Sequence, residues 1–478
     1  MKRTKNDDNK LIAKAIKKLL SPKKPFEIPK HLGLLKKFRR NYSSRDTFSN
    51  TDVVFIQHHL GPLVPRLEAM KRAGLNPKRC WFVDIPYSTS PVVRRELSKR
   101  GFKRAKALQP LDDPMEPYDR AQEKRAHQVF RKVAGRKNPN PLLVIDDGAY
   151  FARFLVHSLR HEPQLARKFV GTRLVEQTTR GHRYLQEEAN NTIKLFELSV
   201  VSIARSATKL NFEAPFIGAA VANAAVDAAK NAPTVQKEGD EKRLTVAVIG
   251  YGAIGKATVN QLVTEKIGQH LHIVDTHPAA RSAATERLCK ANNKAPIVPS
   301  DPDKPPVCSV HATLHPDTKY DLVIGCTGRG SFTPDDRKRL ADKALLVSGS
   351  SASIEFNRLQ FFQLCALDPK VNGYPSFAEG SPTGIHSTLT FEHEPEPAKQ
   401  ETFSFANAGF PINFDGEIEH LPTAAIQATH CLLYGAAQQA RHSTEVGFHP
   451  LALETDLWIH RNALRLLRRK LRRHKKKS

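Results

Sequence analysis

Residues 244–256 read Leu-Thr-Val-Ala-Val-Ile-Gly-Tyr-Gly-Ala-Ile-Gly-Lys, an apolar run that passes directly into Gly250-x-Gly252-x-x-Gly255 and then into a helical pattern. This order constrains the backbone strongly. Gly250 permits a tight turn, Gly252 lets backbone N–H groups approach a pyrophosphate, and Gly255 lets the helix pack close to the strand. The helix start, with Ala253 and Ile254 in its first turn, adds partial positive charge for phosphates. Twenty residues beyond Gly255, Asp275 closes the next strand. A carboxylate there accepts both ribose hydroxyls and repels a 2′-phosphate. Thr276 and His277 follow, with no arginine, so the expected cofactor is NAD rather than NADP. Residues 321–330 form a further strand ending in Cys326-Thr327-Gly328. In such domains Thr327 and Gly328 lie beside the nicotinamide ribose. Cys326 has no activating neighbour in sequence and reads as a buried structural thiol.

Around this motif, short β-branched runs alternate with helical stretches from residue 50 onward. The strands expected are Val53–Gln57, Trp81–Asp84, Leu142–Ile145, Leu244–Ile249, Leu271–Val274, Leu322–Gly325 and Leu345–Ser348. Near-continuous apolar strands separated by helices predict parallel sheets covered on both faces. The fold class expected is α/β, with two Rossmann-like, doubly wound parallel-sheet domains and basic helical termini. The polar segment 231–243 predicts a domain boundary. A basic extension over 1–49 then precedes a substrate-type domain over 50–230, completed by 410–450. An NAD-binding domain spans 231–409, and 451–478 is a basic helix and tail. The stretch 369–402, rich in Pro, Gly, Ser and Glu, reads as an irregular inserted loop or hinge.

Charge is unevenly spread. Of the net +27 on 478 residues, +11 falls in 1–40 and +10 in 461–478, which leaves +6 on the body. Both ends have helical periodicity, with Leu11, Ile12, Ala15, Ile16 and Leu19 opposite lysines near the start and Leu457, Ala463, Leu464, Leu467 and Leu471 among arginines near the finish. Such helices suit nucleic-acid phosphates or an acidic surface, or serve only as solubilising tails. No stretch approaches the roughly 18 apolar residues of a spanning helix, and no secretory h-region opens the chain. Six scattered cysteines contain no Cys-x-x-Cys pair, so a reducing, cytoplasmic setting is expected and no disulfide framework. His157 and His161 stand i, i+4 without a third ligand nearby, and no metal is expected.

Open α/β sheets place ligands at the carboxyl ends of their strands. His58 follows the 53–57 strand and is a site candidate or a loop histidine. Asp147 closes the 142–145 strand in Asp146-Asp147-Gly148, which is equally a turn former. Asp227 lies on an alanine-rich helix, as a site group or an exposed charge.

Several segments in chain order resemble one family, the adenosylhomocysteinases. They are Gln57-His58-His59-Leu60, Asp146-Asp147-Gly148, Glu176-Gln177-Thr178-Thr179-Arg180-Gly181, Asn223-x-x-x-Asp227, Gly250–Gly255, and Asn413 through His420. The Thr-Thr-x-Gly run and the glycine-rich loop are the specific matches, within a similarity over roughly residues 50–440. The resemblance implies an enzyme whose bound NAD oxidises a nucleoside 3′-hydroxyl, eliminates a thiol, adds water and regains the cofactor. It implies that Thr178, Thr179 and Asn413 hold the nicotinamide end, and that His58, Asp147, Asp227 and His420 surround the nucleoside. It also implies a homo-oligomer. The chain departs from the family at four places. Gln177 replaces a glutamate, Asn223 (or Ala225) replaces the lysine that assists oxidation, and Gly349–Ser353 lacks the family histidine. The C-terminal Lys and Tyr give way to the basic helix.

Two functions follow. One is an NAD-dependent enzyme acting on a small, polar, nucleoside-like substrate through a diverged site, with His58 or Asp227 as proton acceptor. The other is a catalytically silent NAD-sensing protein that docks on nucleic acid or acidic partners through its basic ends.

Overall fold

Apolar runs with no polar alternation form strands buried on both faces, and this chain has many. The computed structural model describes residues 5–20, 27–105, 118–231, 244–291, 307–376, 388–396, 399–414 and 416–475. The expected boundary at 231–243 lies, past residue 231, outside the described residues, as do Lys476 and Lys477. In chain order the first strands are β1 (Asp52–Gln57), β2 (Cys80–Asp84), β3 (Leu142–Asp146), β4 (Arg173–Glu176), β5 (Ser199–Ser202), β6 (Thr245–Ile249) and β7 (His270–Val274). They continue with β8 (Val307–His311), β9 (Tyr320–Gly325), β10 (Leu340–Ser348), β11 (Val371–Ser376), β12 (Thr388–Glu396), β13 (Lys399–Phe405) and β14 (Gly447–Pro450). The chain divides into two compact units. One comprises Met1–Pro110, Asp119–Glu213 and Gly416–Ser478, the other Leu111–Tyr118 and Ala214–Asp415.

In the first unit six parallel strands lie in the order β14-β5-β4-β3-β1-β2. Every residue of β1, β2, β3 and β5 is buried, as strands covered on both faces must be. The chain leaves β1 toward β2 on one side, then returns to β3 on the other, so the strand order, not the strand direction, reverses between β1 and β3. The Thr423–His442 helix packs across β3, β4 and β5. At the amino edge Asp52 pairs with Arg79 at 2.7 Å and Arg136 at 2.5 Å.

In the second unit eight strands lie in the order β11-β12-β13-β10-β9-β6-β7-β8. The six from β13 to β8 are mutually parallel, while β11–β12 and β12–β13 are antiparallel. The sheet is therefore mixed, where an all-parallel sheet was expected. Within 369–402, the stretch expected to be irregular, β11, β12 and the start of β13 form ordered strands, while 377–387 and 397–398 lie outside the described residues. The period-2 alternation is real: Leu389, Phe391 and His393 are buried, as are Phe403 and Phe405, and Phe391 stacks on Phe403 at 5.3 Å. Glu392 and Glu394, which fall between and after these buried positions, obscured that pattern. On the other flank Val246, Val248, Leu271, Ile273, Leu322 and Ile324 form a core with Val259 and Leu262 of the Ala253–Thr264 helix. Among the described residues no helix is long and apolar enough to cross a membrane.

Candidate functional site

Two clusters sit at carboxyl edges, one in each unit. In the first, β1 and β3 deliver His58 and Asp147 to the two sides of the point where strand order reverses. His58 Nε2 lies 3.1 Å from Asp147 Oδ2, and His58 Nδ1 is hydrogen-bonded to the Ser88 hydroxyl, carried by the turn after β2. The imidazole is thus held from both nitrogens. Ser88 Oγ also lies 3.2 Å from the Ile85 carbonyl, to which it can donate instead. If His58 takes a proton at Nδ1, the serine hydroxyl turns to Ile85 and accepts the new N–H. The pair therefore accommodates a proton without moving a heavy atom.

A chain of amides supports this histidine. Gln177 donates to Asp147 Oδ2, Gln57 Nε2 donates to Gln177 Oε1 at 3.2 Å, and Arg66 donates to Gln57 Oε1 at 2.7 Å. Arg66 is buried, and burial lowers its pKa to about 9. Lys209 donates to the Gln177 carbonyl at 3.2 Å. Ser88, Arg66, Gln57 and Lys209 were not among the sequence candidates. Ser88 and Gln57 obey the strand-end rule that found His58, whereas nothing local marks Arg66 or Lys209.

Beneath this layer Asp146 and Glu176 end adjacent strands in register. Both are buried, and both accept backbone donors. Asp146 takes Asp147 N–H and Phe151 N–H, each at 2.8 Å. Glu176 takes Ala149 N–H at 2.9 Å, Thr178 N–H at 2.6 Å and the Thr178 hydroxyl at 2.7 Å. Burial, then neighbouring carboxylates, pushes both pKa values up. Thr178 caps the Thr179–Glu187 helix by accepting Gly181 N–H at 2.9 Å, and a Cβ on Gly181 would lie 2.3 Å from the Glu176 carboxyl. Thr178 and Thr179 therefore stand at that helix start. His420 adjoins Glu419 at 3.1 Å in a segment tied to the loop after β1 by Gly61 N–H donating to Ile418 O at 2.7 Å.

The second cluster is the glycine turn. Gly250 has φ +97°, and its N–H donates to Val274 O at 2.7 Å. Cys326 N–H donates to Ile249 O at 2.7 Å, which fixes β9 beside the turn. A Cβ on Gly250 would lie 2.8 Å from the Cys326 backbone, and one on Gly255 would lie 1.8 Å from Gly250 O. A Cβ on Gly252 would meet nothing within 4 Å among the described residues. Gly252 opens the Ala253–Thr264 helix with no side-chain cap, so Ala253, Ile254 and Gly255 present its first turn. Asp275 Oδ2 accepts Tyr251 N–H at 2.7 Å and Oδ1 accepts His277 N–H at 2.8 Å. Each oxygen keeps a further lone pair, and Arg281 donates to the carbonyls of Asp275 and Thr276 at 2.9 and 2.8 Å.

Thr327 and Gly328 lie on the same edge, held by a residue that sequence reading missed. Glu355 accepts Gly328 N–H at 2.7 Å and the Thr327 hydroxyl at 2.8 Å. It comes from a loop with no sequence signature. Burial raises the Cys326 thiol far above its usual range, consistent with a structural role. Asn413 is buried in a turn whose neighbour Ile412 donates to Ser348 O at 2.9 Å. Asp227 is exposed on the Ala214–Asn231 helix. On that helix Asn223 Oδ1 accepts from Gln261 Nε2 at 3.0 Å.

No family model matches the chain. It is 24% identical over 375 residues to proteins from two strains of Mycobacterium tuberculosis, each described as an uncharacterized protein. The alignment takes in 76% of this chain and 59% of those relatives. The chain thus spans less than two thirds of the length of the curated relatives it matches.

Proposed function

We propose that this is an adenosylhomocysteinase-like protein that binds NAD at Gly250–Gly255 and uses it for redox chemistry on a small, polar, nucleoside-like substrate. The observation that carries the reading is the glycine turn. Gly250 and Gly255 are needed by the chain itself, whereas Gly252 faces open space among the described residues and so suits close approach of a ligand. The strand order β8-β7-β6-β9-β10-β13 is that of a Rossmann-type sheet, with the turn at its point of reversal. Asp275 retains lone pairs for ribose hydroxyls. Beyond that shared loop, the family resemblance adds the Thr178-Thr179-Arg180-Gly181 run as support. Bound NAD would supply a hydride acceptor for a secondary alcohol.

The protein must then supply a proton acceptor. Asn223 cannot serve, because an amide does not take up the proton and its oxygen is already bonded to Gln261. His58 serves better: Asp147 fixes its ring and stabilises the imidazolium, while Ser88 yields to the incoming proton. Asp227 is the weaker candidate. The loss of a basic group at Asn223 favours a second reading, in which NAD binds but no turnover follows and the protein is a sensor.

Absorbance at 340 nm separates the two. The NAD-loaded protein is mixed with adenosine, S-adenosylhomocysteine and a panel of hydroxy compounds. The enzyme reading expects NADH with at least one of them, and Asp147→Asn should slow its formation by about 10²- to 10⁴-fold. Tight NAD with no reduction by any member of the panel would favour the sensor.

A further inference from the structure

The two ends of the chain, separated by more than 400 residues, meet in the first unit. The Lys5–Leu19 helix packs on the Leu453–Lys475 helix, and Arg468 bonds Asp8 across the contact at 2.7 Å. Their apolar stripes face inward: Ile12, Ala15 and Ile16 from the first helix are buried, as are Ile459, Ala463, Leu464, Leu467 and Leu471 from the second. Outward they expose Lys10, Lys14 and Lys18, and Arg461, Arg465, Arg469, Arg472 and Arg473. At 1.5 Å per residue the arginine stripe from 461 to 473 runs about 18 Å. The acidic groups on these helices lie mostly near their starts, at Asp7, Asp8, Glu454 and Asp456. Asp8 is engaged by Arg468, and Asp456 is buried, accepting Ala207 N–H and Thr208 N–H at 2.6 and 3.1 Å.

We infer that these two helices form one composite surface that binds the phosphate backbone of a nucleic acid. A helix that docks on a membrane must offer its apolar face to the acyl region. Here the apolar stripes of both helices are already buried in the protein, apart from Leu453 and Leu457 at the start of the second, and from 461 to 473 the exposed side chains are all arginines. A linear array of exposed arginines and lysines fits a linear polyphosphate, whose affinity comes from releasing counterions and carries no sequence preference.

The test measures binding of the full-length chain to a labelled 30-base-pair duplex and a 30-nucleotide RNA by fluorescence anisotropy, from 50 to 200 mM salt. About six phosphate contacts would lower affinity about 10³-fold across that range. The triple variant Arg461→Glu/Arg465→Glu/Arg469→Glu should cut that dependence to about 40-fold, and Lys10→Glu/Lys14→Glu/Lys18→Glu should do the same, because both ends serve one surface. All six side chains are exposed, so melting temperatures and circular dichroism should match the parent's. Lys99→Glu/Lys103→Glu/Lys168→Glu, also exposed and lying outside the two helices, should leave the salt dependence unchanged. The inference fails if the parent binds neither probe, if the control variant weakens binding as much as the helix variants, or if only one end matters. It fails equally if phosphatidylserine vesicles compete as well as nucleic acid does.

Discussion

Glu176 holds together more of the carboxyl edge than any residue expected from sequence. Its carboxyl receives Ala149 N–H, Thr178 N–H and the Thr178 hydroxyl, and it leaves no room for a side chain at Gly181. Its pKa is raised to about 8 and that of Asp146 to about 7, chiefly by burial. A carboxyl raised on folding contributes stability that is complete below about pH 4 and is lost as pH climbs through the folded value. His59 acts in the opposite sense. It is fully buried beside Phe82, and burial lowers its pKa to about 4, so its contribution is complete above about 6.5 and lost below. The two effects oppose one another between about pH 4 and 6.5. Above that the lowered histidine opposes them no longer, so the raised carboxyls should make the melting temperature fall from pH 6.5 to 8. Glu176→Gln should remove more than half of this fall, while costing about 1–3 kcal/mol at pH 6 because its amide faces backbone donors. Parallel melting curves for parent and variant across pH 6.5–8 would refute the assignment. His58 was visible in sequence because it follows an apolar strand. Its partner Ser88 and the buried Glu176 network were not, since strand ends converge only once sheet order is known.

At the scale of elements, the strand–turn–helix over 245–264 makes two glycines answer to different demands. Gly255→Ala puts a methyl group 1.8 Å from Gly250 O, so it should destabilise the second unit by several kcal/mol in thermal melts. Gly252→Ala meets nothing within 4 Å among the described residues and should leave the melting temperature within about 2 °C. It should nevertheless weaken NAD binding at least tenfold, because the methyl group occupies the line of approach to the helix N-terminus. Equal effects of the two substitutions on stability would contradict this division. This element was legible because glycine spacing and strand context encode it locally. The β11–β12–β13 ribbon was not, because Glu392 and Glu394 masked an alternation evident in the burial of Leu389, Phe391 and His393.

For the molecule as a whole, sequence read the two ends as appended charge, and periodicity alone could not tell a tail from a packed helix. Burial of Ile459, Ala463 and Leu467 shows that the C-terminal helix belongs to the first unit's core, and the same contacts bury the apolar stripe of the Lys5–Leu19 helix. That the first unit's strands run parallel was legible from apolar runs, whereas their order and the short strands β4, β5 and β14 were not. The pairing of residues near 10 with residues near 465 was not, because no local pattern encodes contacts so distant in sequence. The proposed chemistry stands on the second unit holding a dinucleotide, and calorimetric titration of the full-length, cofactor-stripped chain with NAD tests that directly. A saturable 1:1 heat for the parent, lost in a folded Gly252→Ala variant and weakened in Asp275→Ala, is the predicted result. No heat from a folded parent chain, or an isotherm unchanged by Gly252→Ala, would contradict it.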